Sequence, residues 1–320
     1  MSDKFNYSVA IRTLGTAGEK YFATLESLNN QTIKPESIVV YIAEGYELPK
    51  ETIGIEKYVY VKKGMVAQRA LKYDEIDSEY ILFTDDDVYY PPTAIEEMHR
   101  LMKEYGGDVI APDPFPHDRL PLSMKLTMTV FLSSVPYIFN KKLGYGRSWW
   151  GAQTYRNKVR KPVYESTTNA GMCFLCKKYD FLSIHFEDDL WVDNLPYAIG
   201  EDNLMYYRMY DNGLKVLTWY NNEIKHLDAG ASTRKMGSKK REIQAYCLAY
   251  HNFAFWWKYC YSEKPKFQKI LRAVGYSGIR SYQLLVSLIL SLIRQRHKEA
   301  ISSAIGTLSA YKAIREGRLF

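Results

Sequence analysis

The chain alternates between short apolar runs and longer amphipathic stretches. The run "YSVAI", Tyr7 to Ile11, has the make-up of a strand. Glu19 to Asn30 carries Phe22, Leu25 and Leu28 roughly on one face and reads as a helix. "SIVVYIA", Ser37 to Ala43, is a continuous, largely β-branched run of the kind buried on both faces of a parallel sheet. "KYVYVKK" is a further strand, Met65 to Tyr73 reads as a helix, and "YILFT" from Tyr80 is a third buried strand. Pro91 and Pro92 prepare a helix start that Ala94 to Glu104 continues, and "DVIAP" closes the set. Strands alternating with helices imply βαβ units and a mostly parallel sheet. In such sheets ligands bind beyond the carboxyl ends of the strands.

The regularity breaks between Asp113 and Ser166, where Pro114, Pro116 and Pro121 precede a basic, aromatic stretch ending in "GRSWWGAQTYRNKVRKP". This stretch reads as an irregular insertion over the site. "AGMCFLC" then reads as a strand, Glu201 to Asn212 as a helix stopped by Gly213, and "LKVLTWY" as another strand. Beyond Arg241 the pattern is helical to the end. The expected organisation is an α/β domain over 1–235, with the irregular insertion at 113–166 as a lid over the site, and a basic, amphipathic helical region over 236–320. Neither repeats nor low-complexity tracts interrupt it.

With 320 residues, 47% of them hydrophobic, the chain can bury a sizeable core. Its 28 Tyr and 6 Trp suit stacking against sugars or bases as well as an ordinary core. Cys173 and Cys176 form a CxxC, but in a strand residues three apart face opposite sides, and no second pair completes a zinc site. Four unpaired, structural thiols indicate a reducing compartment. The opening "MSDKFNYSVAI" has no apolar stretch of signal-peptide length. The longest strongly apolar run, Leu284 to Ile293, is too short for a bilayer, which needs about 20 residues. Charge is distributed unevenly. From Ala231 onward there are 17 basic and 4 acidic residues, against 26 and 32 before it. A tail of net +13 calls for a polyanionic neighbour, nucleic acid or an anionic membrane surface.

Three consecutive acids, Asp85, Asp86 and Asp87, end the buried run "YILFT". Their mutual repulsion is relieved if Asp85 and Asp87 face one cation, and oxygen ligands of this kind suit Mg²⁺ or Mn²⁺. The alternative is a solvated acidic turn before the helix that follows Pro92. Glu201 and Asp202 open a helix, where the dipole stabilises carboxylates and a simple cap is the plain reading. His226 follows the strand around Trp219; a lone His of this kind is more often structural than a ligand.

Taken in order, strand, DxD, insertion, Ala-Gly strand, Glu-Asp helix, strand and His resemble the inverting family 2 glycosyltransferases of the GT-A fold. The resemblance rests on "SVAIRTLGTAGEKYFATLESLNNQTIKPESIVVYIAEG", "KGMVAQRALKYDEIDSEYILFTDDDV", "TTNAGMCFLCKKYDF" and "GEDNLMYYRMYDNGLKV", and covers roughly residues 7 to 230. It implies a Rossmann-like α/β nucleotide-diphospho-sugar transferase fold with a mixed, mostly parallel sheet and flanking helices. It implies that Thr13 and Leu14 contact the base, that Glu44 bonds the base or ribose, and that Gly64 and Arg69 face the nucleotide. The family usually has Asn after that Arg; here Ala70 stands there. Asp85 and Asp86 belong to the donor site, with Asp85 nearer the ribose. Asp85, Asp87 and His226 form the implied metal set for Mn²⁺ or Mg²⁺. Ala170 and Gly171 border the donor sugar. Asp202 matches the catalytic base, and Glu201 positions the acceptor or its loop. Trp149, Trp150 and Tyr155 are candidates to stack an acceptor sugar, and Arg147, Arg156 and Arg160 to meet its phosphates.

The expected donor is a nucleotide sugar, most often UDP-linked, and the expected acceptor a glycan or lipid-linked glycan at the cytoplasmic membrane face. Trp256 and Trp257 beside Lys258 have the make-up of an interfacial anchor for peripheral attachment to an anionic membrane. The alternative is a helical subdomain that packs on the core or forms a homodimer. Three other functions compete. A nucleotidyltransferase also uses paired acids, but leaves the Glu-Asp helix without a role. A nucleic-acid-binding protein fits the tail's charge, but no recognised binding motif is present, so no nucleic-acid partner is expected. A sugar-binding relative without turnover carries the same motifs.

Overall fold

The computed structural model describes residues 5–113, 121–132, 134–136, 143–156, 158–169, 171–220, 223–228, 237–294 and 297–320. Its first half runs β1 (Tyr7–Thr13), α1 (Glu19–Asn29), β2 (Ile38–Ala43), β3 (Glu56–Val61), β4 (Tyr80–Asp85), β5 (Val88–Tyr89), α2 (Ala94–Glu104) and β6 (Val109–Pro112). The region of the expected insertion holds α3 (Leu122–Val130), β7 (Ser134–Pro136), β8 (Tyr145–Arg147), β9 (Gln153–Tyr155) and β10 (Val163–Ser166). There follow β11 (Cys173–Lys177), α4 (Lys178–Ser183), a 3₁₀ segment (Phe186–Asn194), α5 (Glu201–Asp211), β12 (Val216–Trp219) and β13 (Lys225–His226). The chain ends in α6 (Ser238–Phe255), a π-helical segment (Trp256–Ser262), α7 (Lys266–Arg294) and α8 (His297–Arg315).

Eight strands form one mixed sheet in the order β10-β12-β6-β11-β4-β1-β2-β3. The run β4-β1-β2-β3 is parallel, as is β6 with β12, while β11 runs antiparallel to both β4 and β6. This is the mixed, mostly parallel sheet with flanking helices expected of a GT-A fold. Strand alternation sorts the side chains onto two faces. Tyr7, Val9 and Ile11 pack with α1 and α2 on one side. Ala10, Val39, Tyr41 and Phe83 pack on the other, with α5 and with Phe253, Phe255 and Trp256 of the C-terminal helices. Cys173 and Cys176 fall in opposite cores, and all four cysteines are buried free thiols.

Four local expectations are corrected. In α1 the buried positions are Tyr21, Thr24, Leu25, Ser27 and Leu28, while Phe22 is exposed. Thr24 turns inward because its hydroxyl accepts the Val88 amide at 3.0 Å. Met65 to Tyr73 forms turns and no helix. The Asp193 carboxylate accepts the amides of Val66 and Ala67 at 3.1 and 2.8 Å, Gln68 reaches across to the carbonyls of Thr13 and Tyr41, and Tyr73 adopts φ +55°. The irregular region is not uniform, since β7, β8 and β9 make a small sheet of their own but β10 joins the main sheet against β12. Trp256 is 3% exposed and stacks on Tyr276 with ring centroids 4.0 Å apart, and Trp257 is half-buried beside it. These tryptophans therefore belong to the core, and the expected interfacial anchor is not built from them.

Candidate active site

The carboxyl ends of β1 and β4 bring the first charged groups together. Arg12 lies in register with Asp85 on the neighbouring parallel strand, so both side chains leave the sheet on one side. The Arg12 Nε donates to Asp85 Oδ1 at 2.5 Å, and its Nη1 lies 3.6 Å from Glu201 Oε1. Thr13 Oγ1 donates to Asp86 Oδ2 at 2.5 Å and accepts the Gly15 amide at 2.7 Å. Gly15 holds φ +73°, a conformation that L side chains rarely adopt, which lets the chain turn back over the strand end.

From the far side of the cleft, α5 presents Glu201 and Asp202 in its first turn. Arg69 joins the two sides. Its Nη1 donates to Asp202 Oδ1 at 2.5 Å, its Nη2 lies 3.2 Å from Asp85 Oδ1, and the same nitrogen donates to the Gly171 carbonyl. Gly171 packs against the Asp202 carboxylate so closely that a Cβ there would overlap it and force Asp202 to move. Gly64 is constrained in the same way by Asp193.

The electrostatics follow from burial and from these two guanidiniums. Burial raises the Asp85 pKa, but Arg12 and Arg69 outweigh it and hold the carboxyl below its ordinary value. Asp86 is pushed up to about 6 by burial, with the charges of Asp85 and Asp87 adding to the effect. Glu201 is pushed up to about 7 by burial and by its neighbour Asp202. The His226 imidazole is raised by its hydrogen bond with Asp87, their closest atoms being 3.2 Å apart.

The three implied metal ligands, Asp85, Asp87 and His226, line one cavity. Among the described residues there is no cluster of three His, Cys, Asp or Glu side chains placed to hold a metal ion. Asp87, just before β5, and His226 on β13 do meet, because the two strands pair Val88 with His226. Two ligands of this kind fit a divalent ion that completes its shell with phosphate oxygens and water. Both oxygens of Asp85 accept hydrogen bonds from arginine, Oδ1 from Arg12 and Arg69 and Oδ2 from Arg12.

Two cavities flank the carboxylates. One, of about 610 Å³, is lined by Arg12, Thr13, Leu14, Gly64, the three consecutive acids and His226. The other, of about 760 Å³, is lined by Glu201, Asp202, Arg147, Trp150, His251 and Tyr276 among others. Ala198 lies on the wall of both. Glu44 is absent from either wall; it is exposed, and its amide donates to the Val61 carbonyl at the end of the β2–β3 ladder. Tyr155 is 1% exposed and lies in neither lining, so it is no stacking platform. Trp149 is 41% exposed and its indole packs over Gly275 of α7, beside the cavity that Trp150 lines. Arg156 lies over the Tyr164 ring and Arg160 is exposed, so of the three arginines only Arg147 faces the cavity. Ala170 lies outside the described residues.

Three residues of the site were not foreseen. Arg12 carries a readable signal, since period two puts it on the Ala10 face at the ligand end of a buried strand, where a lone cation needs an anion. Asp193 and His251 carry none, because each reaches the site from a distant segment.

A mixed α/β sheet with carboxylates at its strand ends and an acidic helix start opposite defines a transferase-type nucleotide fold. The Glycosyl transferase family 2 model matches residues 23–182, half of the chain, and the chain belongs to this family. The match contains Gly64, Arg69, the three acids and Gly171, while Arg12, Asp202 and His226 lie outside it. The sequence matches no curated protein. Among solved structures it matches the crystal structure of GalNAc-T7 with UDP, GalNAc and Mn²⁺ at 13% identity and a TM-score of 0.47. That match covers 78% of this chain and 51% of the other, so the chain spans about half the length of that relative.

Proposed function

We propose that this glycosyltransferase moves a sugar, with inversion, from a nucleotide-diphosphate donor of the UDP type to a hydroxyl of a glycan or lipid-linked acceptor. One observation carries the reading. Asp202 lines the larger cavity and is bridged through Arg69 to Asp85, which lines the smaller one. The Asp202 carboxylate thus stands in the larger pocket one guanidinium away from the smaller one, where a base could take the acceptor's proton opposite the leaving group. Thr13, Leu14, Gly64 and Asp86 line the donor cavity, and Gly171 packs against the Asp202 carboxylate. Glu201 positions the acceptor end of the site through Arg12. Asp87 and His226 are the residues that would hold Mn²⁺ or Mg²⁺, and a bound ion would offset charge on the departing diphosphate. The test is Asp202→Asn. Donor binding measured by calorimetry should stay within about threefold of wild type while transfer falls by about a thousandfold. Transfer near the wild-type rate would remove Asp202 from the role of base.

The C-terminal helices support peripheral attachment to an anionic membrane. No helix of the described residues is long and apolar enough to cross a bilayer. However, α7 exposes Phe267, Ile270, Leu271, Val274, Leu285, Leu288 and Ile289, and their spacing of three, four and seven keeps them on one stripe. From Lys264 to Lys298 the sequence has eight Lys and Arg and no acid. An apolar stripe within an all-basic segment suits a helix lying in the plane of an anionic surface.

A further inference from the structure

The larger cavity holds polar groups that the described residues do not satisfy. His251 is fully buried on α6, and among the described residues neither ring nitrogen has a hydrogen-bond partner. Its ring lies against Gly200, the residue before Glu201, where an added Cβ would come within 2.6 Å of it. Its other neighbour is the Trp191 ring, with centroids 6.1 Å apart. Arg147 lines the same cavity. Its Nη1 donates to the Gly151 carbonyl at 2.6 Å and its guanidinium lies 4.7 Å over the Phe255 ring, but its buried Nε has no acceptor. Among the described residues no carboxylate pairs with it. The Tyr276 hydroxyl, on the α7 wall, is also buried without a partner.

Buried polar groups in folded proteins are almost always hydrogen-bonded, and a buried charge is nearly always paired. Three exceptions in the wall of one cavity point to a ligand that completes them. A guanidinium without a counter-ion asks for an anionic oxygen group, which its planar fork can meet with two hydrogen bonds. Burial and the Arg147 charge hold the His251 imidazole down to about 3. It is therefore neutral, with one N–H to donate and one nitrogen to accept a hydroxyl. Glu201 and Asp202 line the same cavity but are turned to Arg12 and Arg69, and neither pairs with Arg147.

We propose that this cavity is the acceptor site and that it selects an acceptor bearing an anionic oxygen group, phosphate or carboxylate, held by Arg147 with His251 and Tyr276 beside it. The proposal rests on the transferase reading for the word acceptor, but anion binding in the cavity stands independently of it.

The test is binding of α-D-glucose 1-phosphate, glucuronic acid and glucose to the full chain, measured by calorimetry. The variants are Arg147→Gln, Tyr276→Phe and, in the donor cleft, Asp87→Ala. The expected result is that at least one anionic sugar binds ten times or more tighter than glucose. That preference should vanish in Arg147→Gln, weaken several-fold in Tyr276→Phe, and persist in Asp87→Ala. Preference for glucose 1-phosphate identifies a phosphate acceptor, and preference for glucuronic acid a carboxylate one. Equal affinity for all three sugars would overturn the proposal. So would an anion preference lost in Asp87→Ala but kept in Arg147→Gln, which would place the anion in the donor cleft. Tyr276→Phe removes only a hydroxyl, so it still reports on the cavity if Arg147→Gln does not fold. Release of nucleotide diphosphate to water is measured alongside. Its absence with cavity binding intact would count against the transferase reading and not against this one.

Discussion

Arg69 is 3% exposed and shares its guanidinium between Asp202, Asp85 and the Gly171 carbonyl, so it ties three strand and helix ends into one site. The tolerance around it is small. Gly171→Ala should leave the far-ultraviolet circular dichroism unchanged yet lower transfer by about a hundredfold, because the new methyl displaces the Asp202 carboxylate. Unchanged activity would mean that Asp202 has freedom the packing does not show. Glu201 yields a pH prediction. Its carboxyl is raised from the ordinary 4.5 to about 7, so the folded chain holds this proton more tightly than the unfolded chain does. The stabilisation is fully present below about pH 4.5 and is lost as pH rises through 7. Glu201→Gln keeps the neutral form at every pH. Its melting temperature should therefore gain on that of wild type as pH rises from 5 to 8. A gap that does not change with pH would contradict this account of Glu201. At this scale the sequence was legible where local rules apply. Three acids after a buried run mark a strand end, and Glu-Asp before an apolar face marks a helix start. The Arg12–Asp85 pair was not legible, because it depends on strand register, and the Asp193 cap on Val66 was not, because 127 residues separate the two.

Among the elements, α7 separates two environments. One face carries Tyr276, Arg280 and Gln283 toward the larger cavity, and the opposite face carries the exposed apolar stripe. The sequence placed the membrane contact at Trp256 and Trp257, since aromatics beside lysine resemble an anchor. Those rings instead fill the space between α6, α7 and the sheet, a choice made by packing that composition does not encode. Moving the contact to the α7 stripe leads to a specific expectation. Val274→Glu with Leu285→Glu should abolish flotation with vesicles containing phosphatidylglycerol, while donor hydrolysis stays within about twofold of wild type. Undiminished flotation would exclude the stripe as the contact. If the wild type instead sediments as a dimer that these changes dissolve, the stripe is an interface between two copies.

In the whole molecule, the C-terminal helices are not an appendage to the α/β sheet. Phe253, Phe255, Trp256, Cys260, Tyr276 and Ala310 share one core with Val39, Tyr41, Phe83 and Phe174 of the sheet. Ending the chain at residue 236 would expose that face, and the shortened protein should be insoluble or lose its cooperative thermal transition. A sharp transition near the wild-type temperature would show that the first 235 residues fold alone. The same packing explains why the mostly parallel sheet was foreseen while the larger cavity was not. Strand identity follows from local hydrophobic runs, but that cavity is assembled from the irregular region, the start of α5, and α6, α7 and α8. No pattern within any one segment announces it.

The proposed donor cleft draws its chemistry from the acids at the end of β4. The most direct measurement is release of nucleotide diphosphate from a panel of nucleotide sugars, with Mn²⁺, Mg²⁺ or EDTA, by wild type and Asp87→Ala. The account predicts release from one donor with a divalent ion, its loss in EDTA, and a fall of at least a hundredfold in Asp87→Ala. Neither release nor binding of any donor under any of these conditions would contradict it, and the three acids would then be a solvated turn ahead of α2.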